Sequence, residues 1–266
     1  LALDLGGRPG SASVQGCAFR RLVHISGEKW STVNNDFDVN GGPNPGFIAL
    51  GFGTGTYFVR DCDIDRCWVD NNRSTTLVSL DQYANVRNLR MRENYVKMTC
   101  TRNVRMSLGS LFCMGISASP IFDNLLVVSN RTVVATAVPP TYGALPPEIL
   151  AAPVMVYGSK ALFGDCVFSD NSVDVSAVEI DAVKIARSVM AVNNKADGLP
   201  SVDCVHCTFS GPAAGDDIVL TKTKEYDEFY ATLRMACFDC ILWSSAHDYT
   251  YAGATVDGRG QPDDCL

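Results

Sequence analysis

An all-β solenoid of about seven stacked coils with loop insertions is the fold this sequence predicts, and three observations predict it. The first is a phrase, Phe163-Gly164-Asp165-Cys166-Val167-Phe168-Ser169-Asp170-Asn171, that recurs along the chain. Aligned on Cys166, its counterparts are Gly16-Cys17-Ala18-Phe19, Asp61-Cys62-Asp63-Ile64, Asn88-Leu89-Arg90-Met91, Asn124-Leu125-Leu126-Val127, His206-Cys207-Thr208-Phe209 and Asp239-Cys240-Ile241-Leu242. A Cys or Leu is followed two places later by an apolar residue and is usually preceded by Asp, Asn or Gly. Three copies add an asparagine three places beyond the apolar residue: Asn94, Asn130 and Asn171. The second observation is the spacing of the copies, roughly 45, 27, 36, 41, 41 and 33 residues. Those intervals lie within the ~20 to 50 residues of repeat architectures, and their irregularity suits strand-built coils, whose insertions leave as loops from one face. The third is a period of two inside each copy, which sends Cys166 and Phe168 one way and Val167 and Ser169 the other.

Taken in order, residues 1 to 15 are rich in Gly, Ser and Pro and read as a lead-in or cap without a strong strand. Residues 27 to 46, with Gly41-Gly42-Pro43-Asn44-Pro45, read as a loop feeding a buried strand at Phe47 to Phe52. A short apolar strand precedes several copies, as in Leu77-Val78-Ser79-Leu80, Phe112-Cys113-Met114 and Val154-Met155-Val156-Tyr157, so each coil holds at least two strands and a turn. Coils laid on each other at ~4.8 Å share one internal column of side chains. Residues 138 to 153 contain two paired prolines, which remove ladder donors, and read as a loop insertion. Their Leu145, Ile149 and Leu150 suit either a bland surface loop or an arm onto a neighbouring molecule. Between 173 and 192 the alternation changes phase at Ala177, as at a bulge or corner. The charged run Thr221 to Tyr230 reads as solvent-facing, and 246 to 266 as a C-terminal tail. The whole chain, 1 to 266, reads as one domain.

Composition narrows the function. A net charge of -7 with 19% charged residues leaves no basic face for nucleic acid or an anionic membrane. No apolar run is long enough for membrane insertion. Eleven cysteines and two sequons, Asn72-Arg73-Ser74 and Asn130-Arg131-Thr132, point to an oxidising setting, extracellular or at the cell surface, with Asn72 and Asn130 as candidate glycosylation sites. Asn130 also occupies the asparagine position of the repeat, where a side chain turned inward bonds the backbone, so Asn72 is the better acceptor.

Several constellations carry chemistry. The pairs Cys204/Cys207 and Cys237/Cys240 fall on equivalent positions of consecutive copies, and stacked core thiols, one or more disulfides and a four-thiolate zinc site are the alternatives, in that order. Asp61, Asp63 and Asp65 alternate with Cys62 and Ile64 and are expected to share one outward strand face. Such an acidic face suits calcium or acid-base work on a polysaccharide, although Arg60 and Arg66 flank it and a solvated face is the plainer reading. Asp216-Asp217 and Asp263-Asp264 read as turns. His24, His206 and His247 have no nucleophile or ligand partner at a diagnostic spacing. No catalytic residue, metal site or cofactor is assigned beyond that calcium alternative.

At these repeats the chain resembles the right-handed parallel β-helices of the pectin-lyase-like superfamily. The copy Cys166-Val167-Phe168-Ser169-Asp170-Asn171 resembles the repeats of polymorphic outer-membrane proteins and related secreted β-helix surface proteins. The resemblance spans roughly residues 12 to 245 and implies the right-handed parallel β-helix. Of the motifs expected of polygalacturonase-type members, only Asp216-Asp217 is present, without Asn-Thr-Asp, Gly-His-Gly or Arg-Ile-Lys. The first expectation is therefore a structural or adhesive protein, a subunit or segment of a larger surface or filamentous assembly, whose partners are copies of itself or other surface or matrix proteins. The alternative is a carbohydrate-active or carbohydrate-binding protein working from acidic residues on an outer sheet face, with Trp30, Tyr57 or Trp68 as sugar platforms.

Overall fold

The structure, a computed structural model, describes residues 3–4, 12–25, 44–50, 56–71, 75–80, 83–100, 106–109, 111–114, 120–136, 148–157, 160–177, 182–193, 201–211, 216–222, 234–243, 247–251 and 264–265. These residues form an all-β protein of three parallel sheets and contain no helix. The twelve-stranded sheet carries the repeat. Its strands lie side by side in chain order, from Ala12–Gln15 and Ala18–Arg20 to Thr56–Asp65, Tyr83–Arg92, Ile121–Asp123 with Leu126–Val128, and Lys160–Gly164 with Val167–Ser169. Ser201–Val205 with Thr208–Ser210, then Arg234–Trp243 and Asp264–Cys265, complete it. A five-stranded sheet follows the same order through Val23–Ile25, Trp68–Asn71, Tyr95–Cys100, Arg131–Thr136 and Ser172–Ala177. An eleven-stranded sheet contains the apolar strands that precede the copies, among them Thr75–Leu80, Phe112–Met114, Val154–Tyr157 and Val189–Asn193.

Parallel pairing in chain order brings equivalent residues together, and the core is built from the resulting columns. One runs Val14, Val59, Val86, Phe122, Phe163, Cys204, Cys237, and another Phe19, Ile64, Met91, Val127, Phe168, Phe209, Leu242. Between them sits the column that contains Cys62, Leu89, Leu125, Cys166, Cys207 and Cys240, all buried. The phenylalanines meet face to face within columns: Phe122 on Phe163 at 4.6 Å and Phe168 on Phe209 at 5.0 Å. Phe163 and Phe168 meet edge to face across columns at 5.9 Å.

The asparagines close the section. Asn94, Asn130 and Asn171 are buried and hydrogen-bond in series: Asn94 Nδ2 donates to Asn130 Oδ1 at 2.9 Å, and Asn130 Nδ2 to Asn171 Oδ1 at 3.0 Å. The Nδ2 groups of Asn94, Asn130 and Asn171 donate to the carbonyls of Ile64, Met91 and Val127 in turn. Each Oδ1 also accepts a backbone N–H from the preceding copy, those of Cys67, Asn94 and Asn130. The buried amides are thus satisfied by one another and by the turn they cross.

A left-handed residue sets each bend. Gly16, Asp61, Asn88, Asn124, Asp165, His206 and Asp239, each immediately before the Cys or Leu position, hold φ between 50° and 65°. Left-handed backbone costs most L-residues roughly 1–2 kcal/mol, and Gly, Asn and Asp bear it best, which is why the repeat prefers them there. The N–H at the bend donates to the next copy, as Asp165 does to the Val205 carbonyl at 3.0 Å. Replacing Asp165 by valine should therefore lower stability by about 1–2 kcal/mol in urea denaturation, and replacing it by glycine should not. A second column of bends, Arg21, Arg66, Glu93, Ser129 and Asp170, precedes the asparagine position at φ of 51° to 55°.

Four expectations need correction. The insertion at 138 to 153 ends before 148, because Glu148–Ala151 is a strand paired to Met106–Gly109 and Ala182–Ile185, with Ile149 and Leu150 buried in it; residues 138–147 lie outside the described ones. The lead-in 1 to 15 supplies strands at Leu3–Asp4 and Ala12–Gln15, and the tail 246 to 266 supplies His247–Tyr251 and Asp264–Cys265. Asp216 and Asp264 open strands rather than turns. Thr221 is buried in the strand Asp216–Lys222 rather than facing solvent, and residues 223–233 are outside the described set.

Candidate functional site

The outer face of the twelve-stranded sheet concentrates the polar chemistry. Because Asp61 is a left-handed bend, Arg60 and Asp61 both point outward and the alternation slips by one residue. The three carboxylates accordingly do not share one face: Asp63 and Asp65 flank the buried Ile64 on the strand, whereas Asp61 stands exposed at the corner. Asp61 Oδ1 accepts from Asn88 Nδ2 at 2.6 Å and its Oδ2 from Gln15 Nε2 at 3.2 Å. These bonds, Asn88 foremost, hold its carboxyl below the ordinary range. Asp63 pairs with Arg20 at 3.2 Å and Asp65 lies 3.9 Å from Arg66. The facing strand sets Arg90 and Arg92 beside Asp63 and Asp65. The acidic ladder is thus matched to arginines, and among the described residues no group of three or more His, Cys, Asp or Glu side chains is arranged to hold a metal ion.

Arg66 and Glu93, on neighbouring second bends, pair at 2.7 Å. The Arg66 guanidinium holds the Glu93 carboxyl below its ordinary range. A lowered folded pKa stabilises above the ordinary carboxylate range and is lost as pH falls through the folded value. Thermal midpoints of the wild type should therefore exceed those of Glu93→Gln at neutral pH by a small margin that closes in acid, below about pH 4.

Along the first column of bends the exposed side chains also form a chain. Asn124 Nδ2 donates to Asn88 Oδ1 at 2.8 Å, extending the Asn88–Asp61–Gln15 bonds. Farther on, His206 stands between Asp165 at 3.4 Å and Asp239 at 3.7 Å. The structure thus places His206 outward, as its alternation predicts, and shows two carboxylate neighbours that sequence spacing did not expose. The side chains of His24 and His247 lie outside the described ones.

Next to these bends a shallow groove of about 350 Å³ is lined by Arg60, Asn85, Arg87, Ile121, Asp123 and Gly164, with Leu162 and Val205 at its side. Arg60, Arg87, Asp123, Gly164 and Val205 are one outward column, so Gly164 leaves a dent in it. A Cβ on Gly164 would meet nothing nearer than the Phe122 carbonyl at 3.9 Å. Glycine is not required by the fold there, and its effect is the open space. Arg87 Nε donates to Asp123 at 3.0 Å, and the Arg60 guanidinium lies over the Phe58 ring at 4.6 Å.

No disulfide joins the eight cysteines whose side chains are described, Cys204, Cys207, Cys237 and Cys240 among them. Cys204 and Cys237 are direct partners on adjacent strands, and the Cys207 N–H donates to Cys240 Sγ at 3.4 Å. Contact with the Cys207 thiol pushes the Cys166 and Cys240 thiols up, followed by burial at Cys166 and by contact with Cys237 at Cys240; burial is the foremost cause of the same shift at Cys62 and Cys67.

Asn130, of the second sequon, is 2% exposed, its Nδ2 makes two internal hydrogen bonds, and Thr132 of the same sequon is buried. Asn72 lies outside the described residues, as do Trp30 and the Tyr57 side chain. Trp68 is exposed and packs edge-on against Tyr95 at 5.0 Å. The chain matches no protein-family model, no curated protein and no solved structure.

Proposed function

We propose that the three parallel sheets are the walls of a right-handed parallel β-helix of about seven coils, and that the chain is an extracellular or cell-surface structural or adhesive module. The observation that carries this reading is where the polar side chains are spent. The Asn94–Asn130–Asn171 ladder inside, and the Asp63–Arg20, Arg66–Glu93 and Arg131–Asp174 pairs outside, all join one copy of the repeat to the next. Side chains committed to copy-to-copy cohesion suit a load-bearing rod. The strand Arg234–Trp243 adds a sticky end: Phe238, Ile241 and Trp243 are exposed on it, Trp243 by 75%. Exposed apolar side chains grouped in this way suit association with another copy or another surface protein. In sedimentation velocity, the wild type should sediment as an elongated particle that self-associates with concentration, and Phe238→Ser with Trp243→Ser should abolish the association. A compact monomer at every concentration would overturn the reading.

The groove at Gly164 favours a second reading, a carbohydrate binder. It sets arginine, asparagine and aspartate side chains beside the apolar Ile121 and Leu162, a mixture that suits a polar ligand with an apolar face. Glycan retention that is lost in Gly164→Leu and Arg87→Ala would support it, and retention unchanged in both would remove it.

A further inference from the structure

Four buried thiols ring two adjacent bends. Cys204 and Cys237 are direct partners on neighbouring strands, the Cys207 N–H donates to Cys240 Sγ at 3.4 Å, and Cys207 meets Cys204 across its bend and Cys166 in the copy before. Cys204 and Cys207 flank the bend at His206, and Cys237 and Cys240 flank the bend at Asp239. Exposures of 0%, 1%, 4% and 2% put the whole ring in the interior.

We propose that this ring is an oxidation site that closes into two disulfides, Cys204–Cys207 and Cys237–Cys240, each spanning its own bend. The competing pairing, Cys204–Cys237 with Cys207–Cys240, joins neighbouring parallel strands. Direct partners there project side by side, so their Cβ atoms keep the strand spacing of ~4.7–4.9 Å, beyond the ~3.5–4.5 Å that a disulfide favours. Across a bend, by contrast, two inward side chains converge. Cys207 Sγ lies 3.4 Å from the Val205 carbonyl and Cys240 Sγ 3.3 Å from the Phe238 carbonyl, the same orientation that Cys62 and Cys166 take in their column.

The oxidant is a disulfide of the glutathione or thiol-oxidoreductase class, met while the chain folds and before the ring is buried. One thiolate attacks that disulfide, forms a mixed disulfide and expels a thiolate. The second cysteine of the pair then attacks the mixed disulfide and expels the other. Two protein thiols lose two protons and two electrons, and the oxidant's disulfide becomes two thiols. Cys166 is left as a thiol.

Refolding the full chain with a mixture of oxidised and reduced glutathione, blocking free thiols and digesting with trypsin separates the alternatives. No Lys or Arg lies between residues 195 and 222 or between 234 and 259, so each proposed disulfide stays within one peptide. The expected result is two separate, unblocked peptides, each lighter by two hydrogens, with Cys166 blocked. Peptides joined to one another, or all four cysteines blocked, would overturn the proposal. The variant Cys204→Ala with Cys237→Ala provides the second arm: Cys207 and Cys240 should then be blocked as thiols, and a Cys207–Cys240 link would count against bend-spanning closure.

Discussion

Asn130→Ala should lower the unfolding free energy by about 3–5 kcal/mol, as read from urea denaturation. Asn130 is the middle member of the buried ladder and works in both directions. Its Oδ1 accepts from the Asn94 backbone N–H at 3.0 Å and from Asn94 Nδ2 at 2.9 Å. Its Nδ2 serves the Met91 carbonyl at 2.9 Å and Asn171 Oδ1 at 3.0 Å. Alanine leaves a backbone N–H, a carbonyl and parts of two amides buried without those partners, each costing roughly 1–3 kcal/mol before relaxation. Asn130→Asp is no rescue, since a carboxylate would face two acceptors where the amide had donated. Asn88→Gly, which removes an amide from the exposed ladder and keeps the left-handed bend, is the control and should cost under about 1 kcal/mol because water replaces its partners.

Phe163→Ala should cost a similar amount, about 3–5 kcal/mol, by a different route. Phe163 is fully buried, stacked on Phe122 at an interplanar angle of 5° and edge-on to Phe168, which is itself stacked on Phe209. Truncation removes the transfer energy of a benzyl group, leaves a cavity bounded by rings held in neighbouring columns, and forfeits aromatic contacts worth about 0.5–1.5 kcal/mol. Phe168→Ala breaks the other stack, and because the two rings touch, the double variant should cost less than the two single losses added together. Equal additivity would mean that the columns do not share packing.

The inward half of this arrangement was legible in the sequence because a period of two needs no knowledge of register. Cys166, Phe168 and their counterparts declare the buried side, and Asn130 at a repeat position already argues for an inward amide. The preference for Asp, Asn or Gly before the Cys position was visible too, and its cause is the left-handed bend. The second column of bends was not visible, since Arg21, Arg66, Glu93, Ser129 and Asp170 share no preference that marks such a conformation. Cross-copy contacts were hidden for another reason. Pairing Asp63 with Arg20, or placing Gly164 beside Asp123 in the groove, requires the register between copies whose spacing varies from 27 to 45 residues. The alternation of Asp61 with Asp63 and Asp65 misled because a bend inserts a second outward residue and resets the phase. The prolines before Glu148 misled in the opposite sense: a strand starts directly after them, and Ile149 and Leu150 are the apolar residues it buries.

Spin-label distances along the second column of bends test most directly whether the copies stack on one axis. Arg21, Arg66, Glu93, Ser129 and Asp170 occupy equivalent exposed positions in five consecutive copies. With a non-cysteine label at Asp170 and a second at each of the others in turn, the separation should grow by one strand spacing of ~4.8 Å per copy, reaching about 19 Å at Arg21. Separations that fail to rise in that order, with Arg21 as near to Asp170 as Ser129 is, would contradict the stacked arrangement.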